Sequence, residues 1–343
     1  MPELPEVQTT VNGLNKKVKG AKIIDVWSIY NSPYYKSKEN IKDPKFFTEF
    51  KNRIIGAKII NAERRAKNIL INLDNKETIL IHMKMTGHLM FGEYTNTSIS
   101  SKTRSKATSI KSDDPWKPTN TNNQALNDPF NSHIRLVFSL SLLHKKSEFT
   151  ERCKLVLSDT RKFAKVTVIK TDKLFHSSDL AHLGPEPLNK EFNFEIFKDQ
   201  INKKPNGKIK TVLLDQTIIA GIGNIYSDEA LWLSNIHPES IVRNIPQHAL
   251  KKLFQSILTV LTNGIDFGGD SMSDYRNIDG EKGSFQEQHN VYRKKGELCS
   301  KTECKRLSKT ETGKTKEVLK YTIKRIVVGG RSTHYCENHQ TKY

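Results

Sequence analysis

The sequence predicts an α+β protein with several domains: an N-terminal antiparallel β-sandwich or barrel, a helical region, and a C-terminal segment built on a β-hairpin. Short runs of β-branched residues, bounded by turn formers, fill most of the first 172 residues. Beyond residue 190 the apolar residues recur with a helical period, and three of the four cysteines lie in the last fifth of the chain. A chain of 343 residues is long enough for two or three such domains.

The N-terminal region is predicted to begin with a short helix over residues 1–15, because Val7, Val11 and Leu14 recur at helical spacing. Strands are predicted over residues 21–30, 54–62, 68–73, 78–83, 134–140, 154–158 and 164–170. No helix is predicted between these strands, and many short strands in succession favour a sandwich or a barrel.

Two polar stretches interrupt the predicted strands. Residues 93–130 contain Ser, Thr, Asn and Lys with three prolines and almost no apolar residues, which predicts a mobile surface insertion with no packed core. Residues 144–152 predict a shorter insertion of the same kind. Cys153 follows at the start of a strand, and we expect it to be buried.

Residues 182–188 contain two prolines, which favour extended backbone and predict a linker between domains. The helical region follows, with Phe194, Phe197 and Ile201 on one face and a longer apolar stripe over residues 250–261. The expected divisions are a first domain over residues 1–175, a linker over 176–190, a helical domain over 191–285 and a cysteine-containing segment over 286–343.

The composition favours a polyanionic partner, because the formal net charge is +19 and the basic residues are spread along the chain. Nucleic acid is the commonest partner of this kind. The sequence has no run of eighteen apolar residues and no signal-peptide pattern, so we expect an intracellular protein with no membrane partner.

A metal site is predicted near the C-terminus from two close pairs, Cys299-x4-Cys304 and Cys336-x2-His339. Three thiolates and one imidazole suit a single tetrahedral, structural Zn²⁺ ion. Residues 321–328 and 331–335 read as two strands joined by a Gly-Gly turn, so the metal would clamp the base of a hairpin. The alternatives are four unconnected side chains in a reducing compartment, or His334 as a ligand.

The N-terminus carries a candidate nucleophile. Removal of Met1 would leave Pro2 with a free secondary amine, whose pKa of about 7.7–8.0 makes it reactive near neutral pH. An iminium formed from that amine and a sugar aldehyde carbon stays cationic and favours elimination, and Glu3 is placed to act as a general acid. The alternative is an ordinary helix start, with acidic residues near the positive end of the dipole.

Three other loops suggest contact with DNA. The turn around Gly221 and Gly223 lies before a predicted helix, where backbone N–H groups can approach a phosphate. Met85, Arg161 and Phe163 follow predicted strand ends, and such side chains can fill the gap left by a base flipped out of a duplex. Taken singly, each side chain is as well explained by core packing or by a solvated charge.

Taken together, these motifs resemble the formamidopyrimidine-DNA glycosylases, the bacterial-type members of the wider Fpg/Nei family. The resemblance begins with the sequence Pro-Glu-Leu-Pro-Glu-Val after Met1 and spans nearly the whole chain. It continues through residues 82–87, 159–163, 183–188, 214–226, 268–275 and 329–340.

The resemblance implies a β-sandwich, a helix-two-turn-helix DNA-binding domain and a C-terminal zinc finger. It also implies a base-excision repair enzyme that removes oxidised purines, such as 8-oxoguanine and formamidopyrimidines, from double-stranded DNA and cleaves the strand by β,δ-elimination. We accordingly expect a cytoplasmic, nucleoid-associated monomer. Residues 268–285 match the loop that closes over the extruded base.

The resemblance implies a role for individual side chains. Pro2 would form the Schiff base, Glu3 would be the general acid, and Lys67 and Arg331 would assist β- and δ-elimination. Residues expected to order the site or to contact DNA are Glu6, His82, Met85, Asn131, Arg161, Phe163, Lys210 and Asn224. The metal ligands would be Cys299, Cys304, Cys336 and His339.

The sequence departs from the common family pattern in four places. The ligand set is Cys3His with a wider first pair, and Lys162 replaces a second arginine. The sequence Asn-Ser-His at 131–133 stands where many members have two histidines around a DNA contact, and residues 93–130 have no counterpart. Two rival functions remain: a DNA-binding protein that has lost catalysis, and an enzyme of the endonuclease VIII-like branch that prefers oxidised pyrimidines.

Overall fold

The computed structural model describes residues 1–97, 115–143, 150–272, 275–305, 307–308, 317–318 and 321–343. The described residues divide into two compact units. Unit 1 comprises Met1–Ala181 and Phe267–Gln286, and unit 2 comprises His182–Asp266 and Glu287–Tyr343. The chain therefore leaves unit 1 at residue 181 and returns to it for the segment 267–286. Residues 98–114 and 144–149 of the two predicted insertions lie outside the described residues.

Unit 1 is a sandwich of two four-stranded antiparallel sheets. Its strands are β1 (Lys22–Ser28), β2 (Ile59–Arg65), β3 (Asn68–Leu73), β4 (Glu77–His82), β5 (His88–Gly92), β6 (Tyr94–Asn96), β7 (Trp116–Pro118), β8 (Ile134–Leu143), β9 (Thr150–Ser158) and β10 (Lys165–Lys170). One sheet has the order β1-β8-β9-β5, the other has the order β10-β4-β3-β2, and β6 pairs with β7. The sandwich expected from the sequence is confirmed.

The core of unit 1 lies between the sheets. Strand residues such as Ile69, Ile81 and Leu157 are fully buried there, as period-2 patterning requires. Helix α1 (Leu4–Lys17) adds Val7, Val11 and Leu14 to the same core, so the helix predicted over residues 1–15 is confirmed with slightly later bounds.

The prediction of a strand-only region before residue 172 is wrong at helix α2 (Pro44–Ile54). The Asp43 side chain accepts a hydrogen bond from the Lys45 N–H, and Pro44 occupies the first turn, so both start signals of a helix are present. Phe46 and Phe50 are buried one helical turn apart. The strand predicted over residues 54–62 consequently begins only at Ile59.

The insertion was also expected to have no packed core, and its described residues correct that expectation. Tyr94, Trp116 and Leu126 form an apolar cluster with Met90 and Val156 on the outer face of the β1-β8-β9-β5 sheet. A few large side chains therefore anchor a segment whose average composition is polar. Cys153 is buried as expected.

Unit 2 combines helices with a small β-structure. The helices are α3 (Phe194–Asn202), α4 (Ile209–Leu214), α5 (Asn224–Ser234) and α6 (Gln247–Asp266), and the strands are β11 (Leu307–Ser308), β12 (Glu317–Val318), β13 (Lys324–Val328) and β14 (Arg331–Tyr335). α5 packs against α6, where Gly264 lets the backbone approach Tyr226, since an added Cβ would lie 2.5 Å from the ring.

The β13–β14 hairpin predicted from the sequence is confirmed. Gly329 and Gly330 both have positive φ, at 54° and 73°, which is the backbone of a type I′ turn and matches the right-handed twist of the strands. The tight turn fixes the register so that Arg331 pairs with Val328 at the tip of the hairpin.

Candidate nucleic-acid interface and metal centre

The N-terminal segment of unit 1 is held in a defined conformation. Pro2 is buried directly before α1, and Glu3 is the N-cap residue of that helix. The Glu3 N–H donates to Glu6 Oε2 at 2.7 Å as part of a capping box. These contacts hold Glu3, the residue next to Pro2, at the N-terminus of α1.

Glu6 links the start of α1 to the returning segment 267–286. Its Oε1 accepts a hydrogen bond from the Asp270 N–H at 2.8 Å, and its carbonyl oxygen accepts one from the Tyr275 hydroxyl at 3.0 Å. Burial raises the pKa of Tyr275 well above its usual value, so the hydroxyl stays a donor. The predicted role of Glu6 in ordering the helix start thus extends to a distant segment.

Lys67 lies in the turn between β2 and β3 and is buried. The turn is next to the first half of α1, because Arg64 Nε donates to Gln8 Oε1 at 2.9 Å. Ala66 at φ 53° closes the turn and places Lys67 directly before β3. The fold therefore brings Lys67 to the same end of the sandwich as the N-terminal segment.

His82 ends β4 and pairs in register with Asn68 of β3, beside Lys67. Burial, and next the charges of Lys84 and Lys67, together lower the pKa of His82 to about 3. The Lys84 N–H donates to His82 Nδ1 at 3.0 Å, so the proton of the neutral ring is on Nε2. His82 is thus a neutral hydrogen-bond donor and not a cation.

Met85, Arg161 and Phe163 lie on two adjoining loop tips. Met85 is partly exposed, the side chain of Phe163 is 47% exposed, and the Arg161 guanidinium lies 4.5 Å from the centre of the Phe163 ring. The Arg161 N–H donates to Thr86 Oγ1 at 3.1 Å, which joins the two loops. The structure thus brings the loops of these three residues together, and their insertion into DNA stays a prediction.

Asp159 holds these two loops together, a role that its place in the sequence did not predict. Its buried carboxylate accepts hydrogen bonds from the Tyr30 hydroxyl at 3.1 Å and from the Ala164 N–H at 2.8 Å, as well as from Thr86. Burial, and next the Asp159 charge, raise the pKa of Tyr30, which therefore remains a donor. The one feature of the sequence that could have indicated this role is the position of a carboxylate directly after a predicted strand.

The DNA contact expected of Asn131 is not supported by its position. Asn131 is only 2% exposed, and His88 Nε2 lies 2.8 Å from its Oδ1. Its Nδ2 donates to the carbonyl oxygens of Ala125 at 2.7 Å and Gly280 at 3.2 Å. The amide is engaged within the fold, so Asn131 has a structural role.

Lys210 is likewise buried, and the DNA contact expected of it stays a prediction. Its Nζ donates to Asp228 Oδ1, and both side chains are 0% exposed. The other oxygen of Asp228 accepts from the His334 N–H at 3.0 Å and faces His334 Nδ1 at 3.3 Å. The ion pair thus joins α4, α5 and β14, and His334 belongs to this network.

Asn224 supports the hairpin at the residue that follows Arg331. Asn224 begins α5, and its Nδ2 donates to the Ser332 carbonyl oxygen at 2.9 Å. Arg331 itself is exposed at the tip of the hairpin. An added Cβ at Gly329 would lie 2.5 Å from Thr211 Cγ2, so the tip packs closely on α4.

Cys299, Cys304, Cys336 and His339 come together as a candidate metal centre. All four are buried, and their donor atoms lie within 4.8 Å of one another. Cys304 Sγ lies 3.6 Å from Cys336 Sγ and 3.3 Å from His339 Nδ1. His339 Nε2 faces the Trp232 carbonyl oxygen at 3.2 Å, which leaves Nδ1 as the nitrogen for a metal.

These distances fit a tetrahedral metal. Four sulfur ligands at about 2.3 Å from Zn²⁺ would lie about 3.8 Å apart, and a nitrogen ligand lies somewhat closer. Burial and the neighbouring sulfurs of Cys299 and Cys336 together raise the pKa of Cys304 to about 12, so a bound cation is needed to keep this sulfur a thiolate at neutral pH. The four residues predicted from the sequence are thus grouped to hold one metal ion.

Comparison with known proteins gives the family of the chain. A family model described as the formamidopyrimidine-DNA glycosylase N-terminal domain matches residues 1–166, and one described as its H2TH domain matches residues 183–276. The formamidopyrimidine-DNA glycosylase of Bacillus subtilis is 32% identical over 343 residues, covering 100% of both chains. The chain belongs to the formamidopyrimidine-DNA glycosylase family. The corresponding protein of Pelotomaculum thermopropionicum is 31% identical and covers 98% of each chain.

A solved structure of this family has the same fold. Lactococcus lactis Fpg in complex with DNA containing an abasic site aligns with a TM-score of 0.72 at 27% identity, covering 99% of this chain and 100% of that one. The expected fold class, with a β-sandwich, an H2TH helical region and a C-terminal hairpin beside a Cys/His cluster, is therefore confirmed. Among the described residues, no helix is both long and apolar enough to cross a bilayer.

Proposed function

We propose that the chain is a base-excision DNA repair enzyme that removes oxidised purines and then cleaves the strand at the resulting abasic site. The observation that carries the proposal is the buried, capped Pro2–Glu3 start of α1 at the same end of the sandwich as Lys67. MutM has been solved with DNA containing a carbocyclic 8-oxo-G, and a Lactococcus lactis Fpg mutant with Fapy-dG DNA. Such a substrate would place the protein at the nucleoid.

The proposed chemistry begins after removal of Met1. The Pro2 nitrogen attacks C1′ of the damaged nucleoside, the bond from C1′ to the base breaks, and the base leaves with a proton. Glu3 donates a proton to the ring oxygen, which opens the sugar and leaves an iminium between C1′ and Pro2. The iminium holds its positive charge because a secondary amine leaves no N–H to lose.

Strand cleavage follows from the same iminium. Loss of a C2′ proton expels the 3′ phosphate, and a second elimination expels the 5′ phosphate, after which water releases the sugar fragment from Pro2. Lys67 assists the first elimination and Arg331 the second, each as a cation close to a departing phosphate. Neutral His82 donates a hydrogen bond from Nε2 to substrate or backbone.

DNA binding is proposed to use the exposed residues of both units. Met85, Arg161 and Phe163 fill the space left by the extruded base, and Arg331 binds phosphate. Lys210 and Asn224 act indirectly, because they hold β14 and the hairpin in place. The net charge of +19 strengthens binding to the polyanion.

The metal in the Cys3His centre is proposed to be one structural Zn²⁺ ion. It would join Cys299 and Cys304 to the end of β14 through Cys336 and His339, and so support the hairpin that carries Arg331. Zinc in this position supplies folding free energy and takes no part in the eliminations.

Borohydride trapping tests the proposal directly. Wild-type protein and a Pro2→Gly variant are incubated with a duplex carrying one 8-oxoguanine in the presence of borohydride, and covalent protein–DNA adducts are separated by size. We expect an adduct with wild type whose mass shows Pro2 linked to the sugar, and a much slower reaction with Pro2→Gly. Retention of Met1 in active protein would contradict the mechanism.

The same experiment separates the rival functions. A protein that binds the duplex but yields no adduct and no cleaved strand would be a non-catalytic DNA-binding protein. Lactococcus lactis Fpg has also been solved with DNA containing an oxidised pyrimidine. Duplexes carrying oxidised pyrimidines therefore belong in the series, and faster excision from them than from 8-oxoguanine would place this chain with the pyrimidine-preferring enzymes.

A further inference from the structure

The described part of the insertion is fixed on the outer face of unit 1. Leu126 is buried in the apolar cluster with Tyr94 and Trp116. Asn123 Oδ1 accepts a hydrogen bond from the Leu126 N–H at 3.1 Å, and Asn127 Nδ2 donates to the Asn123 carbonyl oxygen at 2.7 Å. Residues 123–127 therefore have a defined conformation and a defined place on the sheet.

The backbone of Gly280 lies close to that of Ala125, near the end of this insertion. Asn131 Nδ2 donates to the carbonyl oxygens of both Ala125 and Gly280 and so joins the two segments. Gly280 has φ +82°, and an added Cβ would lie 3.0 Å from Leu126 Cδ2 and 3.1 Å from the Ala125 carbonyl carbon. Only glycine allows this approach without displacing the neighbouring backbone.

Arg276 makes the second connection. Its side chain is 1% exposed, Nη2 lies 3.6 Å from Asp128 Oδ2, and the guanidinium lies 4.8 Å from the centre of the Phe130 ring. Nη1 donates to the Tyr275 carbonyl oxygen at 2.8 Å. A buried guanidinium needs charge and hydrogen-bond partners, so Asp128 and Phe130 help to keep Arg276 in this position.

The opposite side of segment 275–281 is tied to α1. The Tyr275 hydroxyl donates to the Glu6 carbonyl oxygen, three residues after Glu3. Ile278 enters the core of unit 1, and its carbonyl oxygen accepts from the Phe91 N–H at 2.8 Å. Residues 275–281 thus connect the insertion to the helix whose start carries the proposed nucleophile.

We infer that residues 123–131 brace segment 275–281, and that Asp128 and Asn131 are positioning residues for capture of the extruded base. The inference rests on the proposed function, since the resemblance assigns residues 268–285 to the loop over that base and gives residues 93–130 no counterpart. A brace of this kind acts on base excision. It has little effect on cleavage at an abasic site, where there is no base to hold.

Single-turnover kinetics on two duplexes test the inference. One duplex carries 8-oxoguanine and reports release of the base, and the other carries an abasic site and reports strand cleavage alone. We expect Asn131→Ala and Asp128→Asn to slow base release about tenfold, which equals about 1.4 kcal/mol, and to leave abasic-site cleavage unchanged. Asn122→Ala is the matched control, because Asn122 is exposed in the same insertion.

Hydrogen exchange gives a second readout. The amides of residues 275–281 should exchange faster in the two variants and not in Asn122→Ala. Phe130→Leu adds a substitution at a side chain that is 52% exposed, so it removes the contact to Arg276 with little risk to folding. Phe130→Leu should slow base release by a smaller factor than the other two variants, and it should likewise leave abasic-site cleavage unchanged.

The outcomes are distinct. Equal losses on both duplexes, or unchanged rates with unchanged exchange, would overturn the inference while leaving the proposed function intact. A wild-type chain that releases no base and cleaves neither duplex would remove the proposed function and this inference with it.

Discussion

Removal of the Asp228 carboxylate is predicted to destabilise unit 2 strongly. Asp228→Ala leaves the Lys210 ammonium in a site with no solvent exposure and without its paired carboxylate, which costs about 3–5 kcal/mol. The variant also removes the acceptor for the His334 N–H, 3.0 Å from Asp228 Oδ2, at about 1 kcal/mol. Because these terms overlap, we expect a loss of about 4 kcal/mol in the free energy of unfolding.

Urea unfolding measured by tryptophan fluorescence tests this value. The chain has three tryptophans, of which Trp27 and Trp116 lie in unit 1, so a Trp27→Phe/Trp116→Phe background leaves Trp232 as the reporter of unit 2. The control replaces both charges, as Lys210→Met/Asp228→Leu, and should lie within about 1 kcal/mol of the background protein.

The reasoning is refuted if Asp228→Ala costs less than about 1 kcal/mol, the usual size of an exposed ion pair. It is also refuted if the apolar double variant is as unstable as Asp228→Ala. Either result would mean that the buried Lys210 ammonium does not need the Asp228 carboxylate to be stable in the folded protein.

Three further predictions follow from the site. Since the folded pKa of His82 is about 3 and its usual value is 6.5, the unfolded chain takes up a proton first as the pH falls, and stability is lost between these values. Urea unfolding at pH 7 and pH 5 should therefore show a loss about 2 kcal/mol smaller in His82→Gln than in wild type. Metal removal by a chelator should lower the unfolding midpoint reported by Trp232, and added Zn²⁺ should restore it; an unchanged midpoint would exclude a structural metal. Arg331→Ala should weaken DNA binding regardless of sequence and reduce the slope of log affinity against log salt by about 0.9, whereas equal affinity at every salt concentration would exclude a phosphate contact.

The sequence predicted those features that depend on local patterns. Period-2 strands, the helical stripe in α6 and the Gly-Gly hairpin are set by neighbouring residues, and the metal ligands are paired closely along the chain. Helix α2 was missed because its buried residues, Phe46, Phe50 and Ile54, are spaced by four and also fit a short apolar strand region.

The environments of the polar side chains were not predictable in the same way. Lys210 is a cation in sequence, but its partners Asp228 and His334 come from another helix and from the hairpin, so its burial depends on tertiary packing. Asn131 is buried for the same reason, because Gly280 reaches it from a segment much later in the chain. Composition averaged over the insertion also concealed the few large residues that anchor it.

The return of residues 267–286 to unit 1 constrains how the protein is made. During translation the β-sandwich emerges long before Asp270, Tyr275 and Ile278, so the N-terminal helix must wait for its last partners until the helical region has been synthesised. A fragment ending at residue 181 would lack those contacts and would expose part of its interior. Completion of the end that carries Pro2 is therefore a late step in synthesis, and a nascent chain stalled before residue 267 should lack these contacts at the proposed catalytic end.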